Sequence, residues 1–573
     1  MQVNGPPIVY FDRLEFADGT DISPSPAGVV VVIGPNNVGK STFLVELGSY
    51  VRNEKFECNS RANRILRSGS LSLPTRENLN EWFDQFADQQ LPDPVYNPSV
   101  RKFRNWGYSQ NENGMLWLEQ FHDVNARNRV AQFFVSSGRE AIFDGQAPDY
   151  LAQGGGMPGQ DNRQFEQLFF SQEVETRIRQ LSIRVFGVPV YLFRGGRQSV
   201  LHWGKPPVLS ENPTPDELAE IRAFPRVNEQ GEGVRALLQM AITLELGIEP
   251  FVLLDEPDAH LHPPQARIAG RFVADRGRRS QVFIVTHSVD FLLGVLDGVA
   301  DVTIVRLDRV GDVPRVKVLD VQAVKQSWTD TVVRYSGVLA GLMHKGVVLC
   351  ESEADCLYYE VVSDELADPN TPSDLRFIQC GGKTGIKKLL GVLVSLKTPV
   401  SVVTDFDLLR DWGDVASIFQ LLGGNPSDIR DLWTQVDRYL SANDDQRTTA
   451  DVLDEIAAAL TAQGLSDKYS VPTRDAVTSI VRLRSTWADA KRRGLDALRG
   501  PAATDGKTLL ERLAARGLHV LPFGELESLH PEASQSLHGP QWVIDVLERG
   551  IHRGLREDQR DFVRRFSRPS PLD

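Results

Sequence analysis

The stretch that decides the fold of the first half of the chain is Val29-Val30-Val31-Val32-Ile33-Gly34-Pro35-Asn36-Asn37-Val38-Gly39-Lys40-Ser41. Its five successive β-branched residues, apolar on both faces, are typical of a strand buried in the middle of a sheet. A Gly-rich turn follows at once, and a helical pattern begins near Ser41. Strand, turn and helix in this order fit the phosphate-binding pattern G-x-x-x-x-G-K-[ST]. The sequence therefore predicts a nucleotide site at this turn.

Positions within the turn have separate predicted tasks. Gly34 and Gly39 let the backbone curl so that successive N–H groups face the phosphates. Lys40 would reach the outer phosphates, and the Ser41 hydroxyl would ligate Mg²⁺. The residues expected to bind the nucleotide here are Gly34, Asn36, Asn37, Gly39, Lys40, Ser41 and Thr42.

A second part of the same site is predicted far downstream. The apolar run 251–254 ends in Asp255 and Glu256. Asp255 would hold the Mg²⁺ through water, and Glu256 can polarise the attacking water as a general base. A later apolar strand, 281–285, leads to His287, which is placed to contact the γ-phosphate.

Between these two parts, Gly231-Glu232-Gly233 opens an amphipathic helix. A turn of small residues at a helix N-terminus suits phosphate contact, so Gly231 and Gly233 join the expected nucleotide-binding residues. His260 and His262 lie two positions apart and would not share a helix face, which disfavours a structural zinc site there.

The order of these motifs resembles the ATP-binding-cassette (ABC) ATPases, and more closely the soluble branch related to the Rad50, SMC and RecF proteins. The resemblance implies two head domains that enclose two ATP molecules, each signature helix completing the partner's site, and hence a homodimer or higher oligomer. The signature Gly231-Glu232-Gly233 differs from the LSGGQ of transporters, which disfavours a transporter subunit. The long separation between Gly34 and Gly231 leaves room for an inserted segment at about 55–185, for dimerisation or target contact.

Carboxylates follow the strands of a second α/β pattern. Glu351 comes directly after the apolar run 347–350, Asp355 follows it, and Asp405-Phe406-Asp407 ends the run 400–404. Alternate residues of an extended segment share a face, and parallel strands bring their carboxyl ends together, so these side chains are expected to converge. Oxygen-only clusters favour Mg²⁺ or Mn²⁺ over zinc, and such a site can cleave a phosphodiester. Acidic strand ends that merely cap neighbouring helices are the alternative.

This ordered set resembles the TOPRIM fold. Joined behind a Rad50-like ATPase, it resembles the OLD (overcoming lysogenisation defect) family of nucleases, which includes the Gabija endonuclease subunit. The resemblance covers residues 8–50 and 182–410 with specific motifs and 515–535 loosely. It implies a two-metal nuclease in which Glu351, Asp405, Asp407 and Glu525 are catalytic, and in which the metal ligands are Glu351, Asp355, Asp405, Asp407 and Glu527.

The sequence departs from this family at two places. Glu525 stands where relatives often have Asp, and relatives carry a catalytic lysine beyond the late acidic motif, whereas this chain has no lysine after Lys507. Arginine can replace the charge of a lysine but cannot share its proton. The arginines that follow either replace that lysine or form a solvated helix face, and they are Arg553, Arg556, Arg560, Arg564 and Arg565.

Composition limits the possible partners. The 573 residues include 63 Lys+Arg and 76 Asp+Glu, a net charge of -13 that excludes a histone-like polycation but leaves room for a local basic groove. The candidates for such a groove, or for a solvated helix face, are Arg474, Arg482, Arg484, Lys491, Arg492, Arg493 and Arg499. The sequence also predicts a soluble cytoplasmic protein with reduced thiols. Its four cysteines lack CxxC spacing, and it shows neither a signal-peptide pattern nor an apolar run of about 18 residues.

The expected fold class is α/β: a P-loop, ABC-type ATPase domain with a helical insertion over residues 1–330, then a TOPRIM domain over 340–573. The second domain is expected to carry a helical insertion at about 412–500 and an Arg-rich C-terminal tail. The expected function is an ATP-regulated, Mg²⁺- or Mn²⁺-dependent nuclease of bacterial anti-phage defence, acting on DNA rather than RNA, with a helicase or effector as a possible partner protein. Two alternatives stay open, an ATPase sensor or scaffold with a degenerate TOPRIM domain and a TOPRIM RNase that cuts tRNA. A topoisomerase would need a nucleophilic tyrosine, for which no candidate is placed.

Overall fold

A computed structural model describes residues 9–53, 64–73 and most of 171–569. Short stretches in between are also described, at 102–103, 108–109, 135–136, 144–146 and 168. The gaps after residue 171 fall at 195–197, 247–249, 277–279, 299, 312, 369–372, 443–446, 463–469, 482–485 and 534–536. The chain divides into two compact units, Met1–Gln326 and Ser327–Asp573. The inserted segment predicted at about 55–185 lies for the most part outside the described residues.

In the described part of the first unit, the strands form one large sheet and three small ones. In chain order they are β1 (Tyr10–Phe16), β2 (Asp21–Ile22), β3 (Gly28–Ile33), β4 (Leu66–Ser72), β5 (Lys102–Phe103), β6 (Tyr108–Ser109), β7 (Val135–Ser136), β8 (Asp144–Gln146), β9 (Val190–Phe193), β10 (Gln198–Trp203), β11 (Phe251–Asp255), β12 (Gln281–Val285), β13 (Asp301–Val310) and β14 (Val313–Leu319).

The helices that accompany these strands begin after the phosphate-binding turn. They are α1 (Lys40–Asn53), α2 (Gln172–Phe186), α3 (Pro215–Ala223), α4 (Glu232–Leu246), α5 (Pro263–Arg276), α6 (Val289–Asp297) and α7 (Val321–Thr329). A 3₁₀ turn, Val227–Glu229, lies just before α4.

The large sheet has the strand order β14-β13-β3-β12-β11-β7. β3 pairs in parallel with both β12 and β13, so its backbone hydrogen bonds are satisfied on both sides. All six residues of β3 are buried, as the β-branched run predicted. Because β11, β12 and β3 are parallel neighbours, their carboxyl ends meet at one edge of the sheet.

A small antiparallel sheet of order β2-β1-β4 packs beside this one. The buried Gln281 side chain joins the two sheets, because it accepts a hydrogen bond from the Phe11 N–H at 2.8 Å and donates to the Phe11 carbonyl at 2.9 Å. The Phe11 ring also meets the rings of Phe251 and Phe283 at centroid distances of 5.3 and 5.8 Å. These contacts place an aromatic core under the strands that end at the nucleotide site.

The second unit has a four-stranded sheet of order β16-β15-β17-β18, with every pairing parallel. The strands are β15 (Gly346–Cys350), β16 (Leu375–Gln379), β17 (Val400–Thr404) and β18 (Leu518–Val520). The α-helices are α8 (Thr331–Ser336), α9 (Glu353–Leu366), α10 (Lys383–Ser395), α11 (Trp412–Leu421), α12 (Ser427–Ala442), α13 (Thr449–Ala462), α14 (Val471–Val481), α15 (Thr486–Arg493), α16 (Pro501–Ala514), α17 (Pro540–Glu548) and α18 (Glu557–Phe566). The 3₁₀ turns are Val338–Met343, Phe406–Arg410, Gly494–Ala497, Leu526–Leu529 and Ile551–Gly554.

The last strand is shorter than the sequence indicated. An apolar run over 519–523 predicted a strand to Phe523, but β18 ends at Val520. Pro522 has no N–H to donate, and its carbonyl accepts a hydrogen bond from the Leu495 N–H at 2.9 Å instead of from a neighbouring strand. The chain then turns at Gly524, where φ is +113°.

Residues 412–500 are predominantly helical in their described parts, from α11 to α15. Within the described residues, no helix combines the length and the apolar character that crossing a membrane requires. The parallel sheets and the helices that connect their strands confirm the predicted α/β class.

A close helix contact in the first unit gives a test of the packing. α5 and α6 approach so closely that a Cβ on Gly294 would lie 2.1 Å from the Arg267 carbonyl oxygen. We expect Gly294→Ala to lower the free energy of unfolding by about 1–3 kcal/mol, because the two helices must separate. Urea unfolding followed by fluorescence measures this change.

The matched control is Gly391→Ala in α10, where an added Cβ meets nothing within 4 Å. That substitution should leave stability unchanged or raise it by up to about 1 kcal/mol, since alanine is the better helix former. Equal effects of the two substitutions would contradict the close approach of α5 and α6.

Candidate nucleotide and metal sites

The first site is built on the turn between β3 and α1. Gly34 has φ +140°, and a Cβ there would lie 2.1 Å from the Leu307 carbonyl oxygen, so only glycine fits. Gly39 has φ +106°, and Asn37 takes a left-handed conformation with φ +62°. The side chains of Asn36 and Asn37 are exposed, so this backbone curl opens to solvent. It ends at the N-terminus of α1, where unpaired N–H groups favour an anion.

Lys40 lies inside this curl. Its side chain is buried, and its Nζ donates to the Gly34 carbonyl at 2.9 Å and to the Pro35 carbonyl. The ammonium group is therefore held against the turn that the sequence assigns to the phosphates. Ser41 is exposed and Thr42 half-buried on the first turn of α1.

Two pairs of residues join this turn to the ends of β11 and β12. The Ser41 hydroxyl donates to Asp255 Oδ1 at 3.1 Å, which brings together residues that are 214 positions apart. Glu256 Oε1 lies 3.5 Å from His287 Nε2. Glu256 adopts φ +49°, a costly conformation for a residue with a side chain, and its N–H donates to the Val285 carbonyl at 2.8 Å. All four residues predicted from the sequence therefore lie along the same edge of the sheet.

A buried hydrogen bond supports this edge. Thr286 Oγ1 donates to Asp258 Oδ1 at 2.6 Å, which ties the residue before His287 to the turn after Glu256. Burial raises the pKa of Asp258, and the hydrogen bond from Thr286 opposes that rise. The sequence offered no signal for this pair beyond its place beside the motif residues.

The signature turn contacts the segment that follows β11. A Cβ on Gly233 would lie 2.7 Å from the His260 carbonyl oxygen, so glycine is required for α4 to approach this turn. Glu232 Oε2 lies 3.0 Å from His260 Nε2, whereas Gly231 has open space around its Cα. The contacts shown for this turn are thus with the His260 segment, and completion of a partner's nucleotide site stays a prediction.

The nucleotide site makes a kinetic prediction. We expect Lys40→Ala to weaken ATP binding and turnover together, since it removes the charge that faces the phosphates. We expect Glu256→Gln to retain ATP binding and to slow turnover by roughly 100-fold or more, because an amide cannot act as a general base. Phosphate release and binding of a fluorescent ATP analogue measure the two effects.

His262→Ala is the control, because this side chain is exposed and lies outside the described contacts of the site. Wild-type turnover in Lys40→Ala would refute the assignment of the phosphate-binding turn.

The second site lies at the carboxyl edge of the second sheet. Cys350 of β15 pairs with Val403 of β17, so Glu351 and Asp405 follow neighbouring strand ends. The Asp405 N–H donates to Glu351 Oε1 at 3.3 Å. Asp355 lies in the first turn of α9 and forms a capping box with Ser352. The sheet therefore brings together the carboxylates predicted from the two motifs.

Burial and mutual repulsion raise the pKa values of these carboxyl groups. Burial, with the nearby Asp407 charge, raises the pKa of Glu351 to about 7. Burial and the charges of Asp355 and Glu351 raise the pKa of Asp405 well above its usual range. Burial also raises the pKa of Asp355. Groups that resist ionisation together in this way are typical of a cation site.

The late acidic motif reaches the same edge. The Phe406 N–H donates to the Gly524 carbonyl at 2.8 Å, which holds the turn after β18 beside the Asp405–Asp407 segment. Burial raises the pKa of Glu525, and the charge of Glu525 contributes to the raised pKa of Asp405. Glu527 accepts a hydrogen bond from the Gly539 N–H at 3.1 Å and adds to the raised pKa of Asp355.

Two lysines at this edge were not predicted as site residues. Lys383 Nζ lies 2.9 Å from Asp407 Oδ1 and donates to the Asp407 carbonyl at 3.1 Å. Lys491 Nζ lies 3.6 Å from Glu525 Oε2 and 3.8 Å from Asp407 Oδ2. Burial works against the charge of Lys491, but the nearby carboxylates prevail and raise its pKa. The Gly381-Gly382 turn before α10 is a usable signal for Lys383, whereas the sequence places Lys491 only in a candidate basic groove.

Three of the five C-terminal arginines, Arg553, Arg556 and Arg564, have carboxylate partners. Arg553 pairs with Glu365 at 3.3 Å, and Arg556 pairs with Asp558 at 3.1 Å. Arg564 pairs with Glu557 and Asp561 at 2.6 and 2.9 Å. Arg560 donates to the Arg553 carbonyl at 3.2 Å, and the charge of Arg565 helps to lower the pKa of His519, which burial chiefly depresses. These contacts favour a solvated helix face over a replacement for the missing lysine.

Most described members of the candidate basic groove also pair locally. Arg474 contacts Asp475 at 2.8 Å, and Arg493 contacts Asp489 at 3.3 Å. Arg499 donates to the carbonyls of Asp496 and Leu498, and Arg492 is exposed. Arg482 and Arg484 lie outside the described residues. The clearest link between these residues and the carboxylates is Lys491.

The donors at this edge fit a hard divalent cation in their chemistry, because they are all carboxylate oxygens. Their placement is not a closed ligand set, since among the residues that the structure describes no three His, Cys, Asp or Glu side chains form a group that could hold a metal ion. The Asp407 carboxylate is instead engaged by Lys383. A metal that binds Asp407 Oδ1 would have to displace Lys383 from this oxygen.

The raised pKa of Glu351, about 7, predicts how metal binding depends on pH. A cation must displace the proton below that pKa, so affinity should fall by up to about tenfold per pH unit as the pH drops. Without metal, the folded protein is more stable when Glu351 is protonated, because its ionised form is unfavourable at this site. This stability is present at low pH and is lost as the pH rises through the pKa of about 7. We therefore expect Mn²⁺ to raise the unfolding temperature more at pH 8 than at pH 6.

Glu351→Gln should bring the Mn²⁺-induced rises in unfolding temperature at pH 8 and at pH 6 closer together, because the group that titrates is gone. Equal stabilisation of the wild type by Mn²⁺ at both pH values would contradict a carboxylate cation site.

Comparison with known proteins supports the identity of both halves. Residues 211–294 match the family model described as "AAA domain, putative AbiEii toxin, Type IV TA system". Residues 342–407 match the model described as "Overcoming lysogenization defect protein-like, TOPRIM domain". The chain thus carries an ATPase domain followed by an OLD-like TOPRIM domain, which confirms the resemblance drawn from the motifs. No curated protein matches the chain.

Several solved SMC heads are similar over about half of the chain. An SMC head bound to the C-terminal winged-helix domain of ScpA is 13% identical, covering 55% of this chain and 99% of that one at a TM-score of 0.30. An SMC head with an extended coiled coil, bound to a ScpA domain derived from Pyrococcus furiosus, is 11% identical over 56% and 98% at 0.31. The head from Thermotoga maritima is 16% identical over 55% and 98% at 0.26. With TM-scores this low, the family matches and the strand order carry the fold assignment.

Proposed function

We propose that this chain, which joins an ATPase domain to an OLD-like TOPRIM domain, is an ATP-regulated, divalent-metal-dependent nuclease that cleaves phosphodiester bonds in DNA. The observation that carries the proposal is the gathering of Glu351, Asp405 and Glu525, with Asp407, at the carboxyl edge of one parallel sheet. Burial of so many acidic groups is unfavourable for a structural role alone, and a cation offsets their charge.

At the TOPRIM site, the proposed roles follow from chemistry and position. The proposed ligands of Mg²⁺ or Mn²⁺ are Glu351, Asp355, Asp405, Asp407 and Glu527. The metal supplies an activated water and charge neutralisation at the phosphodiester. Glu351, whose pKa is about 7, can hold or release a proton at its carboxylate near neutral pH. Glu525 lies 3.6 Å from the partly exposed Lys491 and completes the proposed catalytic set.

At the ATPase site, Lys40 and the turn that begins at Gly34 hold the phosphates of ATP. Ser41 and Asp255, already joined by a hydrogen bond, hold the Mg²⁺ of the nucleotide. Glu256 orients the attacking water, and His287 beside it contacts the γ-phosphate. We assign this activity to residues 1–330 and the nuclease to residues 340–573.

Two copies of the chain would enclose ATP, with Gly231 and Gly233 of each copy completing the partner's site. The segment at about 55–185 would contribute to dimerisation or target contact. The ATP state would then govern access to the TOPRIM site. The choice of DNA over RNA, the role in bacterial anti-phage defence and a helicase or effector as partner rest on the resemblance to the OLD family.

A second candidate function is an ATPase sensor or scaffold whose TOPRIM domain does not cleave. The ion pair between Lys383 and Asp407 at 2.9 Å favours it, because a metal ligand is engaged by a lysine. A partner protein would then act as the effector. The two functions differ in whether the isolated protein cleaves nucleic acid.

One cleavage assay separates the candidates. The full chain is incubated with plasmid DNA and with bulk tRNA, in Mg²⁺ or Mn²⁺, with and without ATP. We expect metal-dependent cleavage of plasmid DNA, changed in rate by ATP. Asp405→Ala should abolish it, because this carboxylate lies at the centre of the cluster.

Lys397→Ala serves as the control, since Lys397 follows α10 at the opposite end of that helix from Lys383. Cleavage that persists in Asp405→Ala would refute the site. Cleavage of tRNA alone would replace DNA by RNA as the substrate, and cleavage of neither would favour the sensor.

A further inference from the structure

A lysine from the helical segment 412–500 lies beside the carboxylates of the second site. Lys491 belongs to α15, the last α-helix of the segment 412–500, which follows the Asp405–Asp407 motif. Its Nζ lies between the carboxylates of Asp407 and Glu525, at 3.8 and 3.6 Å. Lys491 therefore faces residues from both motifs.

Backbone contacts hold this lysine in place. The Leu495 N–H donates to the Pro522 carbonyl at 2.9 Å, and Ser528 Oγ donates to the Arg492 carbonyl at 2.7 Å. A Cβ on Gly524 would lie 2.5 Å from the Lys491 carbonyl oxygen. The end of α15 is thus docked against the turn that carries Glu525, so the position of Lys491 follows from packing of the main chain.

The two lysines of the site differ in what they can reach. Lys383 lies 2.9 Å from one Asp407 oxygen and donates to the carbonyl of the same residue, and its side chain is 26% exposed. Lys491 lies farther from its carboxylates than the roughly 2.7–2.9 Å of a direct charged hydrogen bond, and its side chain is 45% exposed. Lys383 is a positioning residue for Asp407, whereas Lys491 is open to a ligand from solvent.

We infer that Lys491 binds the reacting phosphate of the nucleic acid at the carboxylate cluster, so that the helical segment 412–500 supplies part of the nuclease site. The inference rests on the proposed nuclease function. A phosphate that approaches several carboxylates is repelled by them, and an ammonium group at their open side reduces that repulsion. The same charge stabilises the additional negative charge that develops on the phosphate during cleavage.

This assignment accounts for a feature of the sequence. The chain has no lysine after Lys507, and Arg553, Arg556 and Arg564 pair with carboxylates of their own surroundings. A lysine that precedes the late acidic motif in sequence can still stand beside it in space, because α15 docks on the turn after β18.

Three variants test the inference: Lys491→Ala, Lys491→Arg and the charge-matched control Lys507→Ala on the exposed face of α16. Cleavage rate is measured with Mn²⁺, Mn²⁺ affinity by calorimetry, and affinity for a short DNA duplex with Ca²⁺ in place of Mn²⁺. We expect Lys491→Ala to slow cleavage by roughly 100-fold. It should weaken duplex binding but leave Mn²⁺ affinity unchanged or tighter, because a positive charge beside the ligands is removed.

Lys491→Arg should restore most duplex binding, and Lys507→Ala should match the wild type. A merely structural lysine would instead lower Mn²⁺ affinity and the unfolding temperature together, and that outcome overturns the inference. Wild-type cleavage and binding in Lys491→Ala overturn it as well.

The outcomes separate this inference from the proposed function. If the wild type does not cleave but Lys491→Ala weakens duplex binding, the nuclease proposal fails and the phosphate contact stands. If the wild type cleaves and Lys491→Ala equals it, only the inference fails. A wild type that neither cleaves nor binds the duplex refutes both.

Discussion

Repulsion among half-buried carboxylates is the interaction on which the second unit depends. The parallel pairing of β15 with β17 sets Glu351 beside Asp405, and the turn after β18 adds Glu525. Each negative charge raises the pKa of its neighbours, so the cluster is costly when fully ionised. The structure reduces that cost with ammonium groups from two helices, Lys383 and Lys491. A divalent cation at the same edge would reduce it further, which links metal binding to stability.

The first unit also brings polar side chains together at the carboxyl ends of neighbouring parallel strands. Its parallel strands also end at one edge, where Ser41 meets Asp255 and Glu256 meets His287. Lys40 fills the turn that is expected to receive phosphates. In both units a parallel sheet collects polar side chains that are distant in sequence, because the carboxyl ends of neighbouring strands are adjacent and their backbone groups are already paired.

The phosphate-binding turn could be predicted because its signals are local. A strand, a turn that only glycine can form at Gly34 and the helix start at Lys40 lie within one short stretch. The carboxylates after β15 and β17 were also predictable, since apolar runs mark the strands and acidic residues mark their ends. The strand to Phe523 was predicted too long, because Pro522 gives its carbonyl to the loop at Leu495 rather than to a neighbouring strand.

The sequence by itself determined the buried strands, the phosphate-binding turn and the acidic motifs at the strand ends, because each of these depends on residues close together in the chain. Only the tertiary structure decided which cations stand at the carboxylates. Lys383 and Lys491 reach Asp407 from separate helices, and the C-terminal arginines turn to partners such as Glu365. The position of Lys491 depends on how α15 docks against the turn at Gly524. Packing of two distant segments against each other leaves no periodic pattern in the sequence of either one.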